Sequence, residues 1–62
     1  MSEHHWWNVA GQDMDGNCYD FISYAPNIEA VEAECQELLE TLDGGIFLIY
    51  DYTGHYVTRV EY

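Results

Sequence analysis

Apolar positions in this chain fall into five blocks whose spacing changes from one to the next. His4 to Gly11 carries Trp6, Trp7 and Val9, types that suit a pleated surface, and predicts a first strand over about 4–11. Asp15-Gly16-Asn17 follows, and Gly and Asn tolerate the positive φ that tight reversals demand. Cys18 to Ala25 returns with Tyr19, Phe21, Ile22 and Tyr24, a second strand over about 18–25 that closes a hairpin. After Pro26 the period lengthens. Asn27 is a good N-cap, Glu29 lies where the helix dipole favours an anion, and Ile28, Val31, Cys35, Leu38, Leu39 and Leu42 recur in steps of three and four. This predicts a helix over about 28–43, ended by Gly44-Gly45. Ile46 to Tyr50 is short and β-branched, a strand over about 46–51, and Tyr56 to Tyr62 alternates as a strand over about 56–62. Between them Asp51-Tyr52-Thr53-Gly54-His55 makes the next reversal.

The order β-β-α-β-β predicts an α+β fold: one domain over residues 1–62, a four-stranded antiparallel sheet with one helix packed on one face. Two strand orders stay open, with the hairpins side by side or with a terminal strand at the centre. No repeat, linker or low-complexity segment is expected. One helix covers one face, so the other must be solvated or covered by something else. Two Trp, six Tyr and two Phe in 62 residues exceed what a single core needs. Some of Trp6, Trp7, Tyr50, Tyr52, Tyr56 and Tyr62 are therefore expected at the surface, where such residues serve protein interfaces.

Charge changes this picture most. Twelve acidic residues face a single cation, Arg59, for a formal net charge of −11. Self-repulsion on that scale opposes compaction, and a chain this short has little stability to spare. Anionic membranes and nucleic acid would be repelled, so the expected partners are basic. No run of eighteen apolar residues occurs and the first residues lack a basic stretch leading into an apolar one, so neither a membrane span nor a secretory signal is expected. Cys18 and Cys35 read as small buried apolar residues, with a disulfide as the alternative in an exported protein. Arg59 is expected to pair with a carboxylate of a neighbouring strand such as Asp51 or Asp20.

On the helix, Glu29, Glu32, Gln36, Glu40 and Asp43 fall on a stripe opposite the apolar one, with Glu34 and Glu37 beside it. At about 1.5 Å rise per residue the stripe spans roughly 20 Å, with carboxylates every 4.5–6 Å or so. That interval is of the order of phosphate spacing along a nucleic-acid strand. The bland alternatives are an ordinary solvated face, or the acidity of proteins adapted to high cytoplasmic salt. Asp13-x-Asp15-x-Asn17 starts like a calcium loop, but Gly16 stands fourth rather than sixth and Tyr24 occupies the twelfth position, so a hairpin turn is the better reading. His4, His5 and His55 make no metal or acid-base constellation, and no nucleophile has an evident base. No catalytic residue, metal or cofactor is expected.

In size, charge, helix-on-sheet layout and the series Glu29-Glu32-Glu37-Glu40-Asp43, the chain resembles the small acidic inhibitors of bacteriophages: anti-CRISPR proteins, uracil-DNA-glycosylase inhibitors and inhibitors of bacterial RNA polymerase. The resemblance implies a non-enzymatic inhibitor, a DNA mimic in the cytoplasm of an infected bacterium. It would cover a basic nucleic-acid-binding surface of a host protein or complex, without binding nucleic acid or membrane itself, as a monomer or homodimer. Anti-CRISPR is the first choice, since its targets present long Lys- and Arg-lined channels. Glu29, Glu32, Glu34, Glu37, Glu40 and Asp43 would meet the basic groove, and Tyr50, Asp51, Tyr52 and Tyr56 would add contacts from the last hairpin. The alternative is a small adaptor or dimerisation module that uses an exposed aromatic sheet face.

Overall fold

The computed structural model describes residues 6–62, so His4 and His5, where the first strand was expected to begin, lie outside the described part. The elements are β1 (Trp7–Asp13), β2 (Cys18–Ser23), α1 (Ile28–Leu42), β3 (Gly45–Tyr50) and β4 (Tyr56–Glu61). They form the expected α+β arrangement, one four-stranded antiparallel sheet in the order β2-β1-β3-β4 with α1 across one face. The hairpins lie side by side, with β1 and β3 joined at the centre.

Alternation sorts the side chains. Val9 stands opposite both Phe21 and Ile49, and Val60 stands opposite Phe47. These residues face the helix, while Ala10, Asp20, Leu48 and Arg59 form a row across the other face. The register slips between Ile49 and Tyr50: Thr58 faces Ile49, yet Tyr56 faces Tyr50. The extra residue, Val57, is a β-bulge that returns Tyr56 to the open face.

Val31, Cys35 and Leu39 are fully buried under the helix against Val9, Phe47 and Ile49. Burying side chains of this kind is worth about 1.5–3 kcal/mol each. Phe47 sits at the centre, met edge-on by Tyr19 and Phe21 at 6.2 and 5.9 Å. Gly11 explains why β1 runs past its expected end. A Cβ there would run into the Ile46 carbonyl oxygen and the Phe47 ring, so the glycine admits Phe47 rather than ending the strand. Gln12 then pairs on both sides, with Cys18 and Ile46.

β2 stops at Ser23, short of the expected Ala25, because the chain turns there to enter the helix. The Ser23 hydroxyl accepts from the Ala25 N–H at 3.3 Å, and Trp7 Nε1 donates to the Ala25 carbonyl at 3.2 Å. Asn27 caps α1 as expected, its side chain accepting from the Ala30 N–H at 2.9 Å. The other end departs from expectation. Asp43, not a glycine, takes the first left-handed position at φ 65, and its N–H and that of Gly44 close onto Glu40 and Leu39.

Candidate functional site

Successive helix residues are turned by about 100°, so the sheet fixes where each carboxylate points. Glu34 accepts a 2.7 Å hydrogen bond from Ser23 of β2, and Glu34, Glu37, Leu38 and Thr41 edge a cleft floored by Phe21. That flank of α1 therefore looks toward β2. Glu29, Glu32, Gln36, Glu40 and Asp43 lie along the other flank, toward β4, and Glu32 and Gln36 are half-buried there. The stripe thus runs beside the sheet rather than along the back of the helix, where Ala33 and Glu37 stand exposed. Burying the stripe of Val31, Cys35 and Leu39 rotates the helix to this setting.

Among the described residues, Glu29, Glu32, Glu37, Glu40 and Asp43 have no side-chain hydrogen bond or ion pair, and the single ion pair is Arg59 Nε with Glu61 at 3.1 Å. Arg59 therefore pairs along its own strand, not with Asp51 or Asp20: Glu61 lies two residues on, on the same face. Glu34 differs from the other helix acids because it ties α1 to β2.

Asp51 is committed to its loop. Its Oδ1 accepts from the Thr53 N–H, the Thr53 hydroxyl and the His55 N–H at 3.0, 2.6 and 2.9 Å. These bonds, the Thr53 hydroxyl first, hold its carboxyl below the usual range. The β1–β2 loop repeats the arrangement: Asp13 Oδ1 accepts from the Asp15 and Asn17 N–H groups, and Gly16 takes positive φ where Gly54 does. In both loops the Asp N–H bonds the carbonyl four residues on and the Gly N–H bonds the Asp carbonyl. The two hairpins therefore share an Asp-x-x-Gly-x loop, a local repeat that residue types alone did not reveal. Asp13 Oδ2 also accepts from the Asn17 side chain and the Tyr19 hydroxyl at 3.0 and 2.8 Å. Led by the Asn17 bond, these contacts bring its carboxyl from the usual 3.8 to about 2, and the Tyr19 phenol is raised in turn. Asp13-x-Asp15-x-Asn17 is accordingly a hairpin turn.

The aromatic residues divide between two surfaces. Tyr52 meets Trp6 edge-on at 6.4 Å, and with Trp7, Ile28, Asp51 and Val57 they border a hollow beside the start of α1. Tyr50 and Tyr56 touch at 5.9 Å on the open sheet face, turned away from the helix carboxylates by the bulge. One flat partner surface cannot cover both sets. Tyr24, Tyr52, Tyr56 and Tyr62 are exposed, whereas Tyr50, Trp6 and Trp7 are half-buried.

Cys18 is exposed on the edge strand and Cys35 is buried under the helix, both as free thiols. The expectation that both are buried is corrected for Cys18, because its even-numbered place in β2 faces away from the core. Burial, then the charges of Glu34 and Glu32, pushes the Cys35 thiol from 9.0 up to about 11, which keeps it protonated and unreactive. Among the described residues no group of three or more His, Cys, Asp and Glu side chains could hold a metal ion, and no helix is long and apolar enough to cross a membrane. No family model matches the chain, nor does any curated protein or solved structure.

Proposed function

We propose that this chain is a non-catalytic inhibitor of the bacteriophage type, acting in the cytoplasm of an infected bacterium. Its acidic helix covers a basic nucleic-acid-binding surface of a defence, transcription or repair complex and keeps nucleic acid off it, as an anti-CRISPR DNA mimic would. The observation that supports this reading is the set of carboxylates at Glu29, Glu32, Glu37, Glu40 and Asp43, held on one rigid helix without intramolecular partners among the described residues. Like charges spaced three apart work against the helix that carries them, and no lysine relieves them. A basic groove would supply the missing counter-charges. Tyr52 and Trp6, beside the first turn of α1, add apolar contact at the same end. Charge would set the rate of encounter and the aromatic contacts the rate of release.

The test is capture of a target from bacterial lysate with the tagged chain, with and without nuclease, followed by competition with DNA. One basic nucleic-acid-binding protein should be recovered, released by salt and displaced by added duplex. A complex resting on about five charge contacts should lose roughly 10²- to 10³-fold in affinity between about 50 and 200 mM salt, on the scale of nucleic-acid binding itself. Replacing Glu32, Glu37 and Glu40 together by Lys should abolish capture in a chain that still folds. Undiminished capture by that folded variant would sink the proposal.

A further inference from the structure

The sheet face turned away from α1 bears little of the molecule's charge. Among the described residues, the acidic side chains that stand on it are Asp20 and Glu61, together with Arg59, the one Lys or Arg of the sequence. Its centre is apolar, with Ala10, Ile46 and Leu48 half-buried, and Ile22 and Tyr56 are 46% and 54% exposed toward its margin. We propose that a second copy of this chain covers this face, the two sheets stacked about a twofold axis parallel to the strands and between β1 and β3.

The register selects that axis. Asp20, Ala10, Leu48 and Arg59 form one row from the β2 edge to the β4 edge. Rotation about an axis along the strands lays β2 of one copy over β4 of the other. Asp20 then meets Arg59 of the second copy at both ends of the row, while Ala10 meets Leu48, small against large, in its middle. Rotation about an axis across the strands would instead set Arg59 on Arg59. The pair with Glu61 engages Arg59 Nε, and a guanidinium carries further donors in the same plane. In the neighbouring row Ile22, Asn8, Tyr50 and Tyr56 follow in order, so Ile22 packs on Tyr56 of the other copy.

Charge also argues against the alternative of edge pairing. Joining β4 to β4 would bring together the helix flanks that carry Glu29, Glu32, Glu40 and Asp43, like charge against like. The face is large enough to serve. Four strands of about six residues, at about 4.8 Å spacing and 3.3 Å rise, make it roughly 19 by 20 Å. Two such faces measure roughly 760 Å² in projection, at the small end for a specific interface and suited to a dimer of micromolar or weaker affinity. Stacked sheets keep their strands within about 30° of each other, which long side chains such as Arg59 can span.

Both acidic helices stay on the outside of this dimer, so it rests on observations separate from the binding proposal and stands or falls alone. The test is sedimentation equilibrium of the full chain across micromolar to submillimolar concentration. The expected mass is about twice the 7.2 kDa of one chain. Asp20→Arg and Arg59→Asp should each weaken self-association by about tenfold or more through like-charge contact, and the double exchange should restore it. Leu48→Arg, in the middle of the face, should give a folded monomer by circular dichroism. A wild-type chain with the mass of one copy throughout, a dimer that neither single exchange weakens, a double exchange no better than the singles, or a folded dimeric Leu48→Arg chain would each overturn the proposal.

Discussion

Asp43 carries two unfavourable features at once. Its backbone is left-handed at φ 65, the one such non-glycine among the described residues, and its carboxylate sits at the negative end of the α1 dipole. Left-handed backbone costs an ordinary L-residue about 1–2 kcal/mol, less for Asp, and an acid at a helix C-terminus costs a few tenths more. Asp43→Gly should therefore stabilise by about 1 kcal/mol, roughly 4–8 °C in a domain this small. Asp43→Ala should gain nothing, since alanine removes the charge but adds Cβ strain; thermal melts of the pair check both. Gly11 is the opposite case. Gly11→Ala places a methyl against the Ile46 carbonyl and the Phe47 ring, and overpacking of this kind costs about 3 kcal/mol. Asp13 gives a signed pH effect. Its folded pKa is depressed from 3.8 to about 2, so the stability it adds is present above 3.8 and lost as pH falls through 2. Asp13→Asn should flatten the acid limb of stability between those values, read by urea melts at successive pH.

Among the elements, α1 and the two glycine turns carry strong local signals. Asn27 and the stripe from Ile28 to Leu42 announce α1, and its start agrees to the residue. The turns at Gly16 and Gly54 were visible because positive φ needs residues of that type. Two local features escaped, the left-handed cap at Asp43 and the shared Asp-x-x-Gly-x loop; the rest depends on contacts across the chain. Glu34 looks like its neighbours until Ser23, eleven residues earlier, donates to it. The alternation from Tyr56 to Tyr62 puts Tyr56, Thr58 and Val60 on one face, and only the bulge after Ile49 separates Tyr56 from the other two. Strand order rests on the pairing of β1 with β3, which no short window of sequence contains. The acidic residues of the candidate site were legible, while the side of the helix on which they stand was not, since core packing sets the rotation of α1. The Ser23–Glu34 bond yields an element-scale prediction. Ser23→Ala leaves the exposed Glu34 carboxylate free to hydrate but removes the acceptor of the buried Ala25 N–H, so it should cost about 1–3 kcal/mol and leave capture of a basic partner unchanged. A large loss of capture alongside intact stability would show that Glu34 itself reaches the partner.

For the whole molecule, one charge distribution has two consequences of opposite sign. Glu29 and Glu32, Glu34 and Glu37, Glu37 and Glu40, and Glu40 and Asp43 are like-charged pairs three residues apart; at a few tenths of a kcal/mol each they cost the helix about 1 kcal/mol. Repulsion across the remaining surface adds to this, at a net charge of −11. The Debye length shrinks from about 30 Å at 0.01 M salt to about 3 Å at 1 M, so salt should remove most of the penalty. The melting temperature should rise smoothly by roughly 4–8 °C per kcal/mol recovered over that range. Acidification toward the sequence pI of about 4.1 should act in the same direction until Asp13 and Asp51 begin to protonate. The core of Val9, Val31, Leu39, Phe47 and Ile49 is apolar and fully buried, so a cooperative transition should persist at low salt. Collapse of the fold there would mark the acidity as an adaptation to concentrated salt rather than a binding device. The same screening must weaken any complex with a basic partner while it strengthens the free chain. Replacing Glu32, Glu37 and Glu40 by Lys takes the net charge from −11 to −5 and should weaken both dependences together, because these carboxylates contribute to both.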